Sequence, residues 1–227
     1  MLRLAAPRPD DRYLDVGTGP GTLVRLIGPA VAFSVGTDIT PEMLARFDPE
    51  ARAAAVRADA HRLPFPDGAF TLATCGSVFH HLEEPEGAAI EVARVLGAGG
   101  RFLLVDMAGP EEPERRAARD EVESARDPSH VAILHRSRAR TMLEAAGFEV
   151  LDEASQVDEV SDDLWCRLAD ADLEAVREVL RRREAIGGGF VALRREGDGF
   201  VMSRERRYYL GVKRGAPSDR PAGTLEP

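Results

Sequence analysis

The chain has 227 residues, 44% apolar and 30% charged, the balance of a soluble globular protein able to bury one sizeable core. A formal net charge of −9 argues against a nucleic-acid partner, because phosphate binding draws on a basic footprint. The two cysteines lie far apart with no metal-ligand spacing, and neither a signal peptide nor a membrane-length apolar run is present, so a reduced, cytoplasmic, metal-free protein is expected.

The first 110 residues alternate strand and helix signals. Tyr13–Val16 reads as a first strand, Leu23–Ile27 as a helix, and Val31–Thr37 as a buried strand ending at Asp38. Thr40 as cap and Pro41 at the first helical position start a helix through Met43, Leu44 and Phe47. Residues 53–58 form a third strand ending at Asp59, and Phe70–Cys75 a fourth after the turn Pro66-Asp67-Gly68. A helix over Glu86–Leu96 stops at the glycine-rich Gly97–Gly100, and Arg101–Asp106 is a fifth strand. Such alternation implies parallel strands with helices on both faces.

Beyond Ala108 the pattern changes. A charged surface helix spans 110–126, Asp127–His130 is a turn, and Arg136–Ala146 is an amphipathic helix closed by Gly147. Phe148–Leu151 and Arg207–Val212 read as the sixth and seventh strands. Between them lies an insertion, 153–203, with a helix over 172–183 and a loose glycine hinge at Gly187–Gly189. The arginine clusters 181–183 and 204–207 are expected on solvated helix surfaces. The Pro/Gly-rich tail, 215–227, is expected to be disordered.

Chemistry concentrates at the carboxyl ends of the early strands, where open α/β sheets bind ligands. Asp15-Val16-Gly17-Thr18-Gly19-Pro20-Gly21 is a strand-terminal carboxylate followed by a glycine turn and a helix start, a corner suited to a nucleoside-bearing cofactor. A dinucleotide would need GxGxxG, and Asp15 would repel its pyrophosphate; a cationic amino group or sulfonium suits that carboxylate better. Asp38, 21 residues past Gly17, is placed to hold a ribose diol, and Asp59 with Ala60 to read an adenine edge. Singly, each carboxylate reads equally as a helix cap or loop solvation.

DVGTGPG, GTDITPEML, RADAHRLPFPDGAFTLATC, FHHLEEP and ARVLGAGGRFLLVD together resemble the class I S-adenosylmethionine-dependent methyltransferases, most closely the quinone-, sugar- and natural-product-directed group. The resemblance is dense over 10–108 and thin afterwards. It implies one 1–227 methyltransferase domain with a Rossmann-like, doubly wound, mostly parallel seven-stranded sheet and an antiparallel last strand. In it 10–108 binds cofactor while 109–140 and the insertion face substrate.

For the cofactor, S-adenosylmethionine, the resemblance implies that Asp15, Gly17, Thr18, Gly19 and Gly21 hold the methionine end. Asp38 would take the ribose, Ile39 and Met43 line the adenine, and Asp59 and Ala60 read its edge. Cys75 would contact the methionine moiety through its backbone. His80 or His81, with Asp106 at the fifth-strand end, is implied as the proton-handling group; the same histidines also read as packing. His130 and His135 fall where such folds cover the acceptor, or on a plain surface turn. The expected reaction is O- or C-methylation of a small organic acceptor; the rivals are a non-catalytic cofactor-binding or regulatory subunit and a nucleotide-dependent oxidoreductase. Only about a dozen residues precede the first strand, fewer than is usual in the family. A late start, a covering homodimer mate or partner subunit, or the insertion acting as lid would each account for it.

Overall fold

The computed structural model describes residues 1–47 and 53–215. The elements run α1 (Leu2–Ala5), β1 (Arg12–Val16), α2 (Thr22–Ile27), β2 (Phe33–Asp38), α3 (Pro41–Leu44), β3 (Ala53–Arg57), β4 (Phe70–Gly76), α4 (Pro85–Val95) and β5 (Leu96–Met107). There follow α5 (Pro113–Arg126), α6 (Arg136–Ala145), β6 (Phe148–Ser161), α7 (Asp162–Arg167), α8 (Leu173–Arg183), β7 (Ala192–Glu196) and β8 (Gly199–Lys213). The sheet order is β3-β2-β1-β4-β5-β8-β6, with β7 paired to β8. The first five strands are mutually parallel, and β8 is antiparallel to its three neighbours.

Both faces of the parallel strands are buried, so successive residues serve different cores. Leu14, Ala73 and Leu104 pack toward Val92 of α4 and Met142 of α6. Tyr13, Leu72 and Leu103 pack the other way, with Val24 and Ile27 of α2 and Ala5 of α1. This period of two inside a near-continuous apolar run is the signature of a doubly covered parallel sheet. Buried Arg101 donates to the Ala5 carbonyl at 3.0 Å and pairs with Asp11, tying down the N-terminal segment.

Several sequence expectations change. The sheet has eight strands, not seven, because β7 adds to the edge of β8. Gly97–Gly100 is not a free helix stop: it bulges within β5, where Phe70 pairs with Leu96 and Leu72 already with Arg101. β6 runs to Ser161, ten residues past the expected end at Leu151, because β8 pairs with it throughout. Only 162–198 is therefore inserted. Its helices pack with α5 around Trp165, Val176, Leu180, Phe190 and Phe200 as a separate core.

The Gly187–Gly189 segment is no loose hinge either. Gly188 and Gly189 are buried, and a Cβ on Gly189 would lie 2.2 Å from the Arg115 carbonyl. Arg204–Arg207 sit on β8 rather than a helix, with Arg204 paired to Asp158 directly across the ladder. The expected tail lies outside the described residues from 216 onward, as do residues 48–52.

Candidate active site

The carboxyl ends of β1, β2 and β4 open onto a cavity of about 890 Å³, within the roughly 300–1,000 Å³ usual for small-molecule sites. Asp15, Asp38 and Asp59 all line it. So do Gly17, Thr18, Gly19, Ile39, Met43 and Ala60.

Gly17 and Gly19 adopt φ of 67° and 52°, the left-handed region that a side chain resists. The turn is held by Thr18 N–H donating to the Thr37 carbonyl at 2.8 Å and Gly19 N–H donating to Asp38 Oδ2 at 2.8 Å. Asp38 Oδ1 accepts from Thr40 N–H at 2.9 Å, and this backbone contact stands where a Thr40 side-chain cap was expected. A Cβ on Gly19 would meet nothing within 4 Å, so its backbone faces open space. Gly21 behaves differently: it is buried at the start of α2 beneath the Phe47 ring, and it is not part of the lining.

Asp15 is 1% exposed. Thr74 Oγ1 donates to its Oδ1 at 2.5 Å and Thr18 Oγ1 to its Oδ2 at 2.8 Å, while Tyr13 OH donates to Thr74. Burial nevertheless pushes its carboxyl up to about 6, against those bonds. Asp15 therefore acts on the cavity as a buried charge already held by hydroxyls.

Asp59 stands at the rim. Its Oδ1 accepts from His61 N–H at 2.9 Å and lies 2.8 Å from His61 Nδ1; the backbone bond leads in holding its carboxyl below the ordinary range. His61 Nε2 lies 3.0 Å from the Glu84 carbonyl. Both ring nitrogens face acceptors, a geometry that suits the imidazolium. Burial opposes this, but the Asp59 and Glu84 bonds raise the His61 pKa above 6.5.

The histidine pair occupies the turn Phe79–His81 after β4. His80 is 5% exposed with Nδ1 2.6 Å from Asp106 Oδ1, and Asp106 Oδ2 accepts from Phe79 N–H at 2.8 Å. Burial alone would depress the His80 pKa, yet the Asp106 charge and hydrogen bond outweigh it and the net shift is upward. His81 points into the cavity, its Nδ1 3.0 Å from both the Ser129 carbonyl and Ser129 Oγ. Ser129 Oγ donates to Asp127 at 2.6 Å, so both atoms beside Nδ1 are acceptors. The proton of neutral His81 therefore sits on Nδ1 and the lone pair on Nε2. Burial, then the nearby His80 charge, lower its pKa.

A second cavity of about 250 Å³ adjoins the first, sharing Ser77, His81, Asp127 and Arg206 with it. His80 lines this second space. Asp106 lines neither and meets this space only through its hydrogen bond to His80.

Cys75 also lies outside both linings. It is wholly buried, and burial drives its thiol pKa well up, because the two-residue period of β4 turns its side chain into the core. Gly76 and Ser77 meet the cavity instead, Ser77 at a φ of 58°. His130 is buried with Nε2 2.8 Å from Asp120, and His135, ahead of α6, has Nδ1 2.9 Å from Glu111 Oε2. Neither lines these two cavities. Residues the sequence reading missed are His61, Ser77, Ser129 and Arg206; only His61, two residues past Asp59 as in an Asx turn, carried a local signal.

Among the described residues no cluster of metal-ligating side chains occurs, and no helix is long and apolar enough to cross a membrane.

The methyltransferase domain family matches residues 14–104. The Bacillus subtilis methyltransferase YcgJ is 38% identical over 151 residues, 64% of this chain and 60% of that protein. A demethylmenaquinone methyltransferase of Clavibacter sepedonicus is 30% identical over 173 residues, 74% of this chain and 68% of its own length. The crystal structure of BH2331 from Bacillus halodurans superposes with a TM-score of 0.88 at 27% identity, covering 94% of this chain and 97% of that one. The chain belongs to the class I S-adenosylmethionine-dependent methyltransferases. The matched stretch spans about two thirds or less of the curated relatives' length.

That family implies S-adenosylmethionine as cofactor, and the cavity fits it. Three carboxylates, an open backbone at Gly19 and exposed apolar Ile39 and Met43 answer to a cation, a diol and a flat base.

Proposed function

We propose that the protein transfers a methyl group to a small organic acceptor, at oxygen or an activated carbon. When bound, S-adenosylmethionine supplies a methyl group on a positively charged sulfur that is already a good leaving group. Asp38 would hold its ribose, Asp59 Oδ2 and Ala60 N–H its adenine edge, and Gly17–Gly19 with the Asp15 charge its amino-acid end. His81 Nε2 would take the acceptor's proton as the new bond to carbon forms. His80, fixed by Asp106, would stand beside it as a charged donor.

The observation that carries this reading is the Asp127–Ser129–His81 relay, which leaves a lone pair on Nε2 where the two cavities meet. A regulatory subunit would need neither a poised base nor an acceptor space. The demethylmenaquinone methyltransferase relative lends support to a quinone-like acceptor, and the smaller cavity, lined by arginines, to a compact polar one. We read the chain as a single domain of the cytoplasm, where the buried, unbridged Cys75 and Cys166 stay reduced.

Incubation with methyl-labelled cofactor and a metabolite extract tests the reading. Label should enter a small molecule, and His81→Gln should cut transfer by about 10²–10⁴-fold with S-adenosylhomocysteine affinity kept. Asp38→Ala should instead weaken that affinity by about 1.5–3 kcal/mol. Intact binding with no labelled product would favour the regulatory subunit.

A further inference from the structure

The second cavity is walled by four arginines, Arg119, Arg126, Arg204 and Arg206. Its acids are already engaged: Glu123 by Arg119, Asp158 by Arg204, Glu205 by Arg207, and Asp127 by the Ser129 hydroxyl. The donors are not all engaged. Arg204 Nε is buried with no hydrogen-bond partner, and Arg206 makes no ion pair among the described residues. His80 commits Nδ1 to Asp106, leaving Nε2 as its remaining ring nitrogen in a residue that lines this space. A buried N–H without an acceptor is costly, and it persists where an incoming acceptor completes it. A neutral hydroxyl offers one shared oxygen and no charge. A carboxylate or phosphate offers several acceptor oxygens and matches the fork of a guanidinium.

We propose that this cavity binds an oxyanion carried by the methyl acceptor, a carboxylate or phosphate group gripped by Arg204, Arg206 and His80. The inference rests on the methyl-transfer reading: with its anion anchored there, the acceptor presents its reactive atom to His81 at the junction of the cavities. Anchoring a remote group is how binding energy aligns a reacting centre. Arg126, its guanidinium carbon 4.7 Å from the centre of the Trp165 ring, is held at the cavity wall by that ring.

The full chain, saturated with S-adenosylhomocysteine, is titrated calorimetrically with phenyl phosphate, benzoate and benzyl alcohol. At least one anion should bind tenfold or more tighter than the alcohol, and which one wins separates phosphate from carboxylate. R206Q and R204K, the latter keeping the charge opposite Asp158, should each weaken that anion by about tenfold or more and leave the alcohol unchanged. In the 15N-labelled protein, the Arg204 Nε–H resonance, assigned by its loss in R204K, should shift on adding the anion. Equal binding of alcohol and anions, unchanged anion affinity in both variants, or an unmoved Arg204 resonance would overturn the proposal. S-adenosylhomocysteine affinity is measured first on the same samples. Its absence would count against the methyl-transfer reading, while the anion titration repeated without it would still report on the cavity.

Discussion

His80 and His81 are adjacent in sequence, with rings 4.0 Å apart, yet their environments push them in opposite directions. Burial and the His80 charge hold His81 below 6.5, while Asp106 holds His80 above it despite burial. Between the two limits one ring is a base and the other a cation. The pH profile of kcat/KM should be a bell, with an acid limb below pH 6.5 as His81 gains its proton and an alkaline limb above it as His80 loses one. Rings this close share macroscopic values, so the limbs belong to the pair. Asp106→Asn removes the charge that supports His80 and should move the alkaline limb downward; an unmoved limb would detach Asp106 from the chemistry. For stability the sign is set by the raised His80 value: its contribution is full below the unfolded pKa and fades as pH rises through the folded one. Asp15 is also raised, from 3.8 to about 6 through burial, a cost on the order of 3 kcal/mol when ionised. Its native carboxyl keeps a proton that the unfolded one gives up, so stability falls as pH rises between those values. Asp15→Asn should therefore raise Tm at pH 7.5, by less than that figure because an amide serves two threonine donors poorly, and lose the gain near pH 4. Calorimetry at both pH values decides it, and an equal change at both would refute the buried-charge account.

At the scale of elements, the glycine turn joins two roles that substitution can separate. Alanine at Gly19 meets only the cost of a left-handed backbone, roughly 1–2 kcal/mol, and puts its methyl into the cavity. Alanine at Gly17 adds a contact of 2.2 Å with Val78 Cγ2, next to the histidine turn. Gly19→Ala should thus keep most of its Tm and lose cofactor affinity, while Gly17→Ala should lose Tm and turnover together; differential scanning fluorimetry and calorimetric titration read the two. This half of the fold was legible because its strands are apolar runs ending in Asp15, Asp38 and Asp59, a pattern that local sequence carries whole. The extension of β6 over 152–161 was not. Its residues are polar, and what makes them a strand is pairing such as Asp158 with Arg204 across 46 positions. Gly187–Gly189 read as a hinge for the same reason: the Arg115 carbonyl that closes on Gly189 is remote in the chain. In the site, the carboxylates were readable from strand ends, whereas the tautomer of His81 depends on Ser129, 48 residues away. Cys75 packs into the core, and the cavity is met by Gly76 and Ser77 of the turn that follows it.

The whole molecule divides into the sheet, with a core on each face, and a third core built by α5 and the 162–198 insertion. What joins the third core to the second cavity is one buried cluster. Arg119 and Glu123, 3% and 2% exposed at their side chains, form an ion pair within α5, and the Arg119 guanidinium lies 3.7 Å from the centre of the Phe190 ring. Gly189 closes on the same helix turn, and Trp165 stacks with Phe190 edge to face at 5.8 Å. Removing one member of such a pair leaves an uncompensated buried charge, costing about 3–5 kcal/mol. Glu123→Gln should therefore loosen the third core selectively: amide exchange should speed up across α5, α7 and α8, while β1, β4 and β5 keep their protection. S-adenosylhomocysteine affinity should persist, because the glycine turn and its carboxylates stand on the sheet, whereas transfer should fall with the wall of the acceptor cavity. Uniform acceleration through β1, β4 and β5 would instead show one cooperative unit, in which the insertion is as much a part of the cofactor site as of the acceptor's.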